Sequence, residues 1–274
     1  MDRVFTSLPV WLSLSLFALV PAVIAVLLHD QFRRMVPGEK LIPHHEVAGF
    51  LVSIVGLLYA VVLAFLVAEA WTTFDNAQRT ADGEASSLAE SFVTASILPE
   101  PERHRVRSLL ADYAFEVRDN EWPLLTEGRQ DVKAREYLLD AFKAVLNVRI
   151  PHNMLLPDAL QLQSAQQTVL GDLHDLSTQR RQRLLDVGRR VPGALYFALI
   201  FGWLILMAFV FLFRTPRALQ LTMTALVAAM VGLLLGLVVQ FDLPYSRGIR
   251  VSTEAWTFVI ENNHLAEYRT NAVP

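Results

Sequence analysis

From Val47 to Leu98 the chain contains no proline, and residues 47–68 carry no charge. At 1.5 Å per residue this uncharged portion spans about 33 Å as a helix, enough to cross a bilayer core. From Glu69 onward polar residues appear, but apolar residues keep helical spacing, and the only glycine beyond the uncharged portion is Gly83. One helix roughly 75 Å long is therefore predicted, crossing lipid at one end and continuing outside it at the other. The chain reads as a membrane protein with a helical domain attached to a transmembrane helix.

Three other segments are long, apolar and uncharged: 9–28, 193–213 and 218–241. With 47–68 they make four predicted spans. The whole chain agrees: 274 residues, 53% hydrophobic, 19% charged, with mean hydropathy +0.36. The first segment is read as a retained span, because its apolar run is long for a signal peptide. It is preceded by one basic residue, Arg3, and followed by no Ala-x-Ala cleavage site. A net charge of -3 points to neither nucleic acid nor an acidic substrate. The absence of cysteine excludes disulfides, thiolate metal sites and cysteine nucleophiles.

The spans form two pairs. A first transmembrane pair occupies 1–71, an extramembrane helical domain 72–192, a second pair 193–241, and an extramembrane tail 242–274. The fold class predicted is thus an all-α membrane protein. In 72–98, Phe74, Ala81, Ala85, Leu88 and Phe92 lie on one stripe, which Gln78 interrupts. Pro99 and Pro101 end that helix. A second helix, 102–119, carries Val106, Leu109, Leu110, Tyr113 and Val117 on a face. Residues 120–123 read as a turn. A third helix covers about 131–147, with Tyr137, Leu138, Ala141, Phe142 and Val145. A fourth covers about 157–188, with Leu162, Val169, Leu173 and Leu176. In the tail, 242–248 reads as a turn, and Ser252 is placed to cap a helix through about Tyr268. Such a helical domain buries little surface alone, so help from neighbouring subunits is expected.

With four spans, the N-terminus, the large domain and the tail share one side. The short links on the other side hold Arg33, Arg34, Lys40, Arg214 and Arg217, which the positive-inside rule would make cytoplasmic. The opposite side also has arginines near the membrane, at 180, 181, 183, 189, 190, 247 and 250, so the rule does not decide.

The second span has an unusual face. Gly49, Ser53, Gly56, Ala60, Ala64 and Ala68 recur at steps of four and three, placing small residues along the bilayer's whole thickness. Two readings follow: a close-packing seam against another helix, or a pore wall with room for ions and water. Tyr59, near mid-membrane, needs a partner for its hydroxyl, and a structural hydrogen bond is its expected role. In the fourth span Ala225, Ala229, Gly232 and Gly236 form a similar stripe with a Gly-x-x-x-Gly motif, which marks helix packing. Pro21 is expected to kink the first span. No ionisable residue sits deep within a predicted span, which argues against a buried proton relay but not against a channel.

Polar clusters flank the second span. His44-His45-Glu46 suggests metal binding only weakly, since adjacent helical residues face different ways. At the other end Glu69 and Asp75 flank the interfacial Trp71; together with Glu46 they are candidates for acids at a pore mouth. Arg180, Arg181, Arg183, Arg189 and Arg190 read as solvated or headgroup-contacting residues, or as an electropositive vestibule. No nucleophile elbow, phosphate loop or zinc-hydrolase motif is present, so no enzyme activity, metal or cofactor is expected.

His44-His45-Glu46-Val47-Ala48-Gly49-Phe50, followed by Gly56-Leu57-Leu58-Tyr59-Ala60-Val61-Val62-Leu63-Ala64-Phe65, resembles the bestrophin-like (DUF4239) membrane family. The resemblance continues through Trp71, Ala77, Glu84-Ala85, Glu121-Trp122-Pro123 and the turn Asp242-Leu243-Pro244-Tyr245-Ser246. One departure is that Tyr245 stands where that family usually has phenylalanine, and Arg247 precedes Gly248. The resemblance implies a distant likeness to bestrophins, which are pentameric anion channels whose second transmembrane helix lines the pore. Carried over by position, Gly49, Ser53, Gly56, Ala60 and Ala64 become the pore-facing stripe, and the large domain becomes cytoplasmic. The expected protein is an oligomeric ion channel in a bacterial inner membrane, with lipid, small ions and further copies of itself as partners. A non-conducting scaffold or sensor, whose helical domain binds a partner, is the alternative.

Overall fold

A computed structural model describes residues 9–36, 45–149, 155–213, 215–245 and 248–270. Among them no strand occurs. The α-helices are α1 Val10–Met35, α2 His45–Thr94, α3 Glu102–Glu116, α4 Trp122–Leu125, α5 Val132–Leu146, α6 Leu156–Asp186, α7 Gly193–Leu212, α8 Arg217–Phe241 and α9 Glu254–Asn262. Helices α1, α7 and α8, and the first half of α2, are long and apolar enough to cross a membrane. The fold is the all-α membrane architecture that the hydropathy pattern predicts. Helix α2 runs unbroken for 50 residues. The chain divides into two compact units, Met1–Phe74 with Arg190–Arg250, and Asp75–Arg189 with Val251–Pro274.

In the membrane unit α1 lies along α8. The closest approach is at the two glycines of the Gly-x-x-x-Gly motif. A Cβ at Gly232 would stand 2.2 Å from the Phe17 carbonyl oxygen, and one at Gly236 would stand 2.8 Å from the Phe17 Cβ. Only hydrogen leaves room for this contact, so the motif is a packing seam. Pro21 lies inside α1. That helix runs seven residues past the predicted end of its span and carries His29 into a fully buried position. Its Nδ1 is 2.7 Å from Thr224 Oγ1, its Nε2 is 2.8 Å from Gln220 Nε2, and its ring stacks on Phe211. The buried amide of Gln240 donates to Ser13 Oγ at 2.9 Å and accepts from the Ile249 N–H at 3.3 Å. These polar groups are thus paired, as a low-dielectric interior requires; the Tyr59 hydroxyl, for which a structural hydrogen bond is expected, has no partner among the described residues.

In the extramembrane unit the rest of α2 buries Ala77, Ala81, Ala85, Leu88 and Phe92. Phe74, predicted on the same stripe, belongs to the membrane unit, where it packs on Phe241. Gln78 interrupts the stripe because it holds the tail: its Oε1 accepts from the Ser252 N–H at 2.8 Å. Helix α3 buries Val106, Leu110 and Tyr113, and Val117, just past its end, is buried as well. The turn predicted at 120–123 is instead helical. A π-helical stretch, Val117–Glu121, feeds directly into α4, with Pro123 in its first turn, where the missing N–H costs nothing. Asp131 caps α5 by accepting from the Lys133 N–H at 2.8 Å. Ser252 Oγ accepts from the Glu254 N–H at 3.0 Å, but α9 stops at Asn262 and a 3-10 turn, Leu265–Tyr268, follows. The tail is fastened to α3 through Thr270, whose N–H and hydroxyl both donate to the Asp112 carboxylate.

Candidate functional site

The membrane half of α2 offers three faces, because each residue turns the helix by about 100°. One face is buried: Tyr59, Leu63, Leu66 and Ala70 pack with Leu199, Val231 and Val238 of α7 and α8. The small-residue stripe borders this face and divides between inside and outside. A Cβ at Gly49 would stand 3.8 Å from the Phe213 ring, and one at Gly56 would stand 3.7 Å from a Leu206 methyl. The Tyr59 ring lies against Gly202, whose added Cβ would come within 2.8 Å of it. Gly56 and Tyr59 therefore meet α7, and Gly49 meets Phe213 just past its end. Ser53, Ala60 and Ala64 are exposed, and the Ser53 hydroxyl donates to the Gly49 carbonyl at 2.8 Å. The third face is large, apolar and uncovered, with Leu58 63% and Phe65 72% exposed.

Of the acids flanking this span, Glu46 and Glu69 are exposed, while Asp75 pairs with Arg79 one turn on at 2.8 Å. Trp71 is 53% exposed and sits edge-on to Phe241. The turn after α8 is built inward: Asp242, Pro244 and Tyr245 are all buried. Asp242 Oδ1 accepts from the Val191 N–H at 2.5 Å, and its Oδ2 accepts from the Tyr196 hydroxyl at 3.1 Å. This carboxylate ties the end of α8 to the entry of α7. Arg3, Lys40, His44, the His45 side chain, Arg214, Ser246 and Arg247 lie outside the described residues.

The extramembrane unit holds a buried charge network. Glu84 accepts from the Tyr113 hydroxyl and from Arg183 Nε, and also from Arg183 Nη2 at 3.1 Å. Glu121 accepts from Arg183 Nη2 at 2.6 Å and from both terminal nitrogens of Arg180 at 2.8 and 2.6 Å. The Asp131 N–H donates to the same carboxylate at 3.1 Å. Two carboxylates thus balance two guanidiniums, and bidentate geometry strengthens each pair. Burial alone would raise the Glu121 carboxyl; the Arg183 and Arg180 charges override it and hold the group below its ordinary value. Burial and the Glu84 charge push the Tyr113 hydroxyl well up, so it remains a donor.

This corrects the expectation for the arginine run. Arg180 is 6% exposed and Arg183 is not exposed at all, so neither is a solvated, headgroup-contacting or vestibule residue. The signal was present in the spacing: 169, 173, 176, 180 and 183 continue one helical stripe, which places both arginines on the buried face of α6. Glu84 likewise lies on the buried face of α2, one turn from Leu88.

A family model described as bestrophin-like domain matches residues 11–256. The chain belongs to the bestrophin-like family. Solved structures with the same fold include a single-substitution variant of a bacterial bestrophin homolog from Klebsiella pneumoniae. It is 14% identical, with 92% of this chain and 97% of that chain covered and a TM-score of 0.58. Another structure of a bacterial bestrophin homolog from Klebsiella pneumoniae, solved by zinc phasing, is 16% identical over 90% and 97% of the two chains, with a TM-score of 0.53. No curated protein matches. At this identity the structures establish a shared fold. With four apolar helices, the bestrophin-like chain is an integral membrane protein. Three of its motif segments acquire a structural role: Glu84 and Glu121 anchor the charge network, and Asp242 joins α8 to the entry of α7.

Proposed function

We propose that this bestrophin-like protein is a protomer of an oligomeric channel for small anions, with the membrane half of α2 lining the pore. The observation that carries the proposal is the outward placement of Ser53, Ala60 and Ala64 on a span without charge, in a chain of this family. Small side chains leave room for partly hydrated ions, and an uncharged wall does not trap them. The uncovered large face of α2, including Leu58, Val62 and Phe65, supplies apolar surface for neighbouring protomers. Likeness to bestrophins favours a pentamer with the extramembrane unit in the cytoplasm and with Glu46, Glu69 and Asp75 near the pore mouths. No catalytic role is assigned to the protein.

The test is reconstitution of the purified protein in planar bilayers. Under a potassium chloride gradient the current should reverse near the chloride equilibrium potential, and Ala64→Asp should reduce anion selectivity. Absence of conductance across ions, pH and calcium levels would count heavily against the channel. The packing of Gly56 and Tyr59 against α7, and of Gly49 against Phe213, supports the second reading, a non-conducting scaffold or sensor whose helical unit binds a partner. An oligomer structure without an axial opening would favour it.

A further inference from the structure

In the membrane unit a cleft of about 570 Å3 lies where α1 and α7 begin and α8 ends. Leu16 and Val20 of α1, Ile200 of α7 and Val239 of α8 give it apolar walls. Val20 is 48% and Ile200 51% exposed, so the cleft opens sideways onto the hydrocarbon that surrounds the helices. Two charged residues also line it, and their situations differ. Asp242 is buried and engaged, its carboxylate accepting from the Val191 N–H and from the Tyr196 hydroxyl. Arg190 is exposed and makes no ion pair among the described residues, whereas its neighbour Arg189 pairs with Asp186 at 3.1 Å. An accessible cation thus stands at the edge of an apolar slot.

Depth orders these features. Arg190 precedes Pro192, the N-cap of α7, and Ile200 lies seven residues past Gly193, about 10 Å deeper. On α1, Leu16 is about 9 Å past Val10 and Val20 about 15 Å past it. The cleft therefore runs from the membrane boundary into the core. A ligand matched to this order carries an anion at the boundary and an alkyl chain directed inward. A guanidinium meets phosphate oxygens with two parallel N–H bonds, and headgroup phosphates lie at this depth. Because the carboxylate in the cleft is already engaged and the guanidinium is not ion-paired, a headgroup of net negative charge fits better than one that also carries an ammonium. We propose that this cleft binds an anionic phospholipid of the phosphatidylglycerol class, with its phosphate on Arg190 and one acyl chain between α1 and α7. None of these residues belongs to the α2 stripe assigned to the pore, so the site stands or falls apart from conduction.

The delipidated full-length protein, kept in detergent, is titrated with dioleoylphosphatidylglycerol or dioleoylphosphatidylcholine, and bound lipid is counted by native mass spectrometry. Phosphatidylglycerol should bind saturably and more tightly than phosphatidylcholine. Arg190→Gln, at an exposed position, should weaken phosphatidylglycerol about five-fold, the worth of one basic residue at a headgroup, and abolish the preference, with unchanged oligomer mass and Tm. Ile200→Trp fills the apolar part of the cleft and should weaken binding comparably. Inorganic phosphate at matched ionic strength, which has no chain, should not compete. Equal affinity for the two lipids, or equal phosphatidylglycerol binding by wild type and Arg190→Gln, overturns the proposal. Competition by inorganic phosphate assigns Arg190 to a soluble anion and overturns it too. A wild type that binds no phosphatidylglycerol, together with an Ile200→Trp variant of altered oligomer mass, assigns the cleft to a neighbouring protomer and likewise overturns it.

Discussion

Arg183 reaches both carboxylate oxygens of Glu84, 99 positions earlier in the chain, with neither side chain exposed to solvent. The same guanidinium also reaches Glu121, so one arginine of α6 joins α2 to the segment that follows α3. Buried away from solvent, each of these charges depends on its partners.

Removing one partner is therefore expected to be costly. Arg183→Met leaves two buried carboxylates short of compensation, and losing one member of a buried pair costs about 3–5 kcal/mol. Thermal unfolding in detergent should show a large fall in Tm. A variant as stable as the wild type would mean that the network contributes nothing to holding the unit together.

The pH dependence has a defined sign. Glu121 has an ordinary carboxyl value of 4.5, and its value in the folded protein lies below this. Its contribution is present in full above 4.5 and is lost as pH falls through the depressed value. Stability measured against pH should decline on the acid side for this reason. Glu121→Gln should flatten that decline while lowering stability at neutral pH; an unchanged acid limb would refute the assignment.

Gly232→Ala tests the α1–α8 seam. Its new methyl would stand 2.2 Å from the Phe17 backbone oxygen, which cannot rotate away. Overpacking of this kind costs about 1–3 kcal/mol. Fluorescence-detected gel filtration after heating should show earlier loss of the folded peak for this variant. Gly193→Ala, where no atom of the described residues lies within 4 Å of the added carbon, should match the wild type.

The side of the membrane can be read by labelling, since the chain has no cysteine of its own. The proposed channel would have its extramembrane unit in the cytoplasm. Cysteine at position 33, past the apolar part of α1, should then react with an impermeant thiol reagent in intact cells, while cysteine at position 130 should be protected. The reverse pattern would invert the proposed orientation and favour the short-link basic residues as its determinant.

Spacing in the sequence showed four spans and a long second helix because charge-free length and a 3.6-residue period are local properties. The same period predicted the buried runs through Ala81, Ala85 and Leu88, and through Val169, Leu173 and Leu176. It does not by itself predict the fate of Arg180 and Arg183, because their charge points to exposure while their helical position points to burial. Their partners, Glu84 and Glu121, lie 99 and 59 to 62 residues away, beyond the reach of any local pattern. Residues 120–123 are helical where a turn is expected for a related reason: proline marks a break only when it is not in the first turn of a helix.

The membrane stripe shows the same division. Sequence alone determined that α2 carries small residues on one line and a tyrosine near mid-bilayer. Only tertiary structure decided that Gly56 and Tyr59 turn toward α7, and Gly49 toward Phe213, while Ser53, Ala60 and Ala64 stay outside. It also decided that His29, just past a predicted span, is buried beside Thr224 and Gln220. Periodicity fixes the angle between residues around one helix; where that helix is rotated relative to its neighbours depends on contacts from distant segments, which no single stretch of sequence contains.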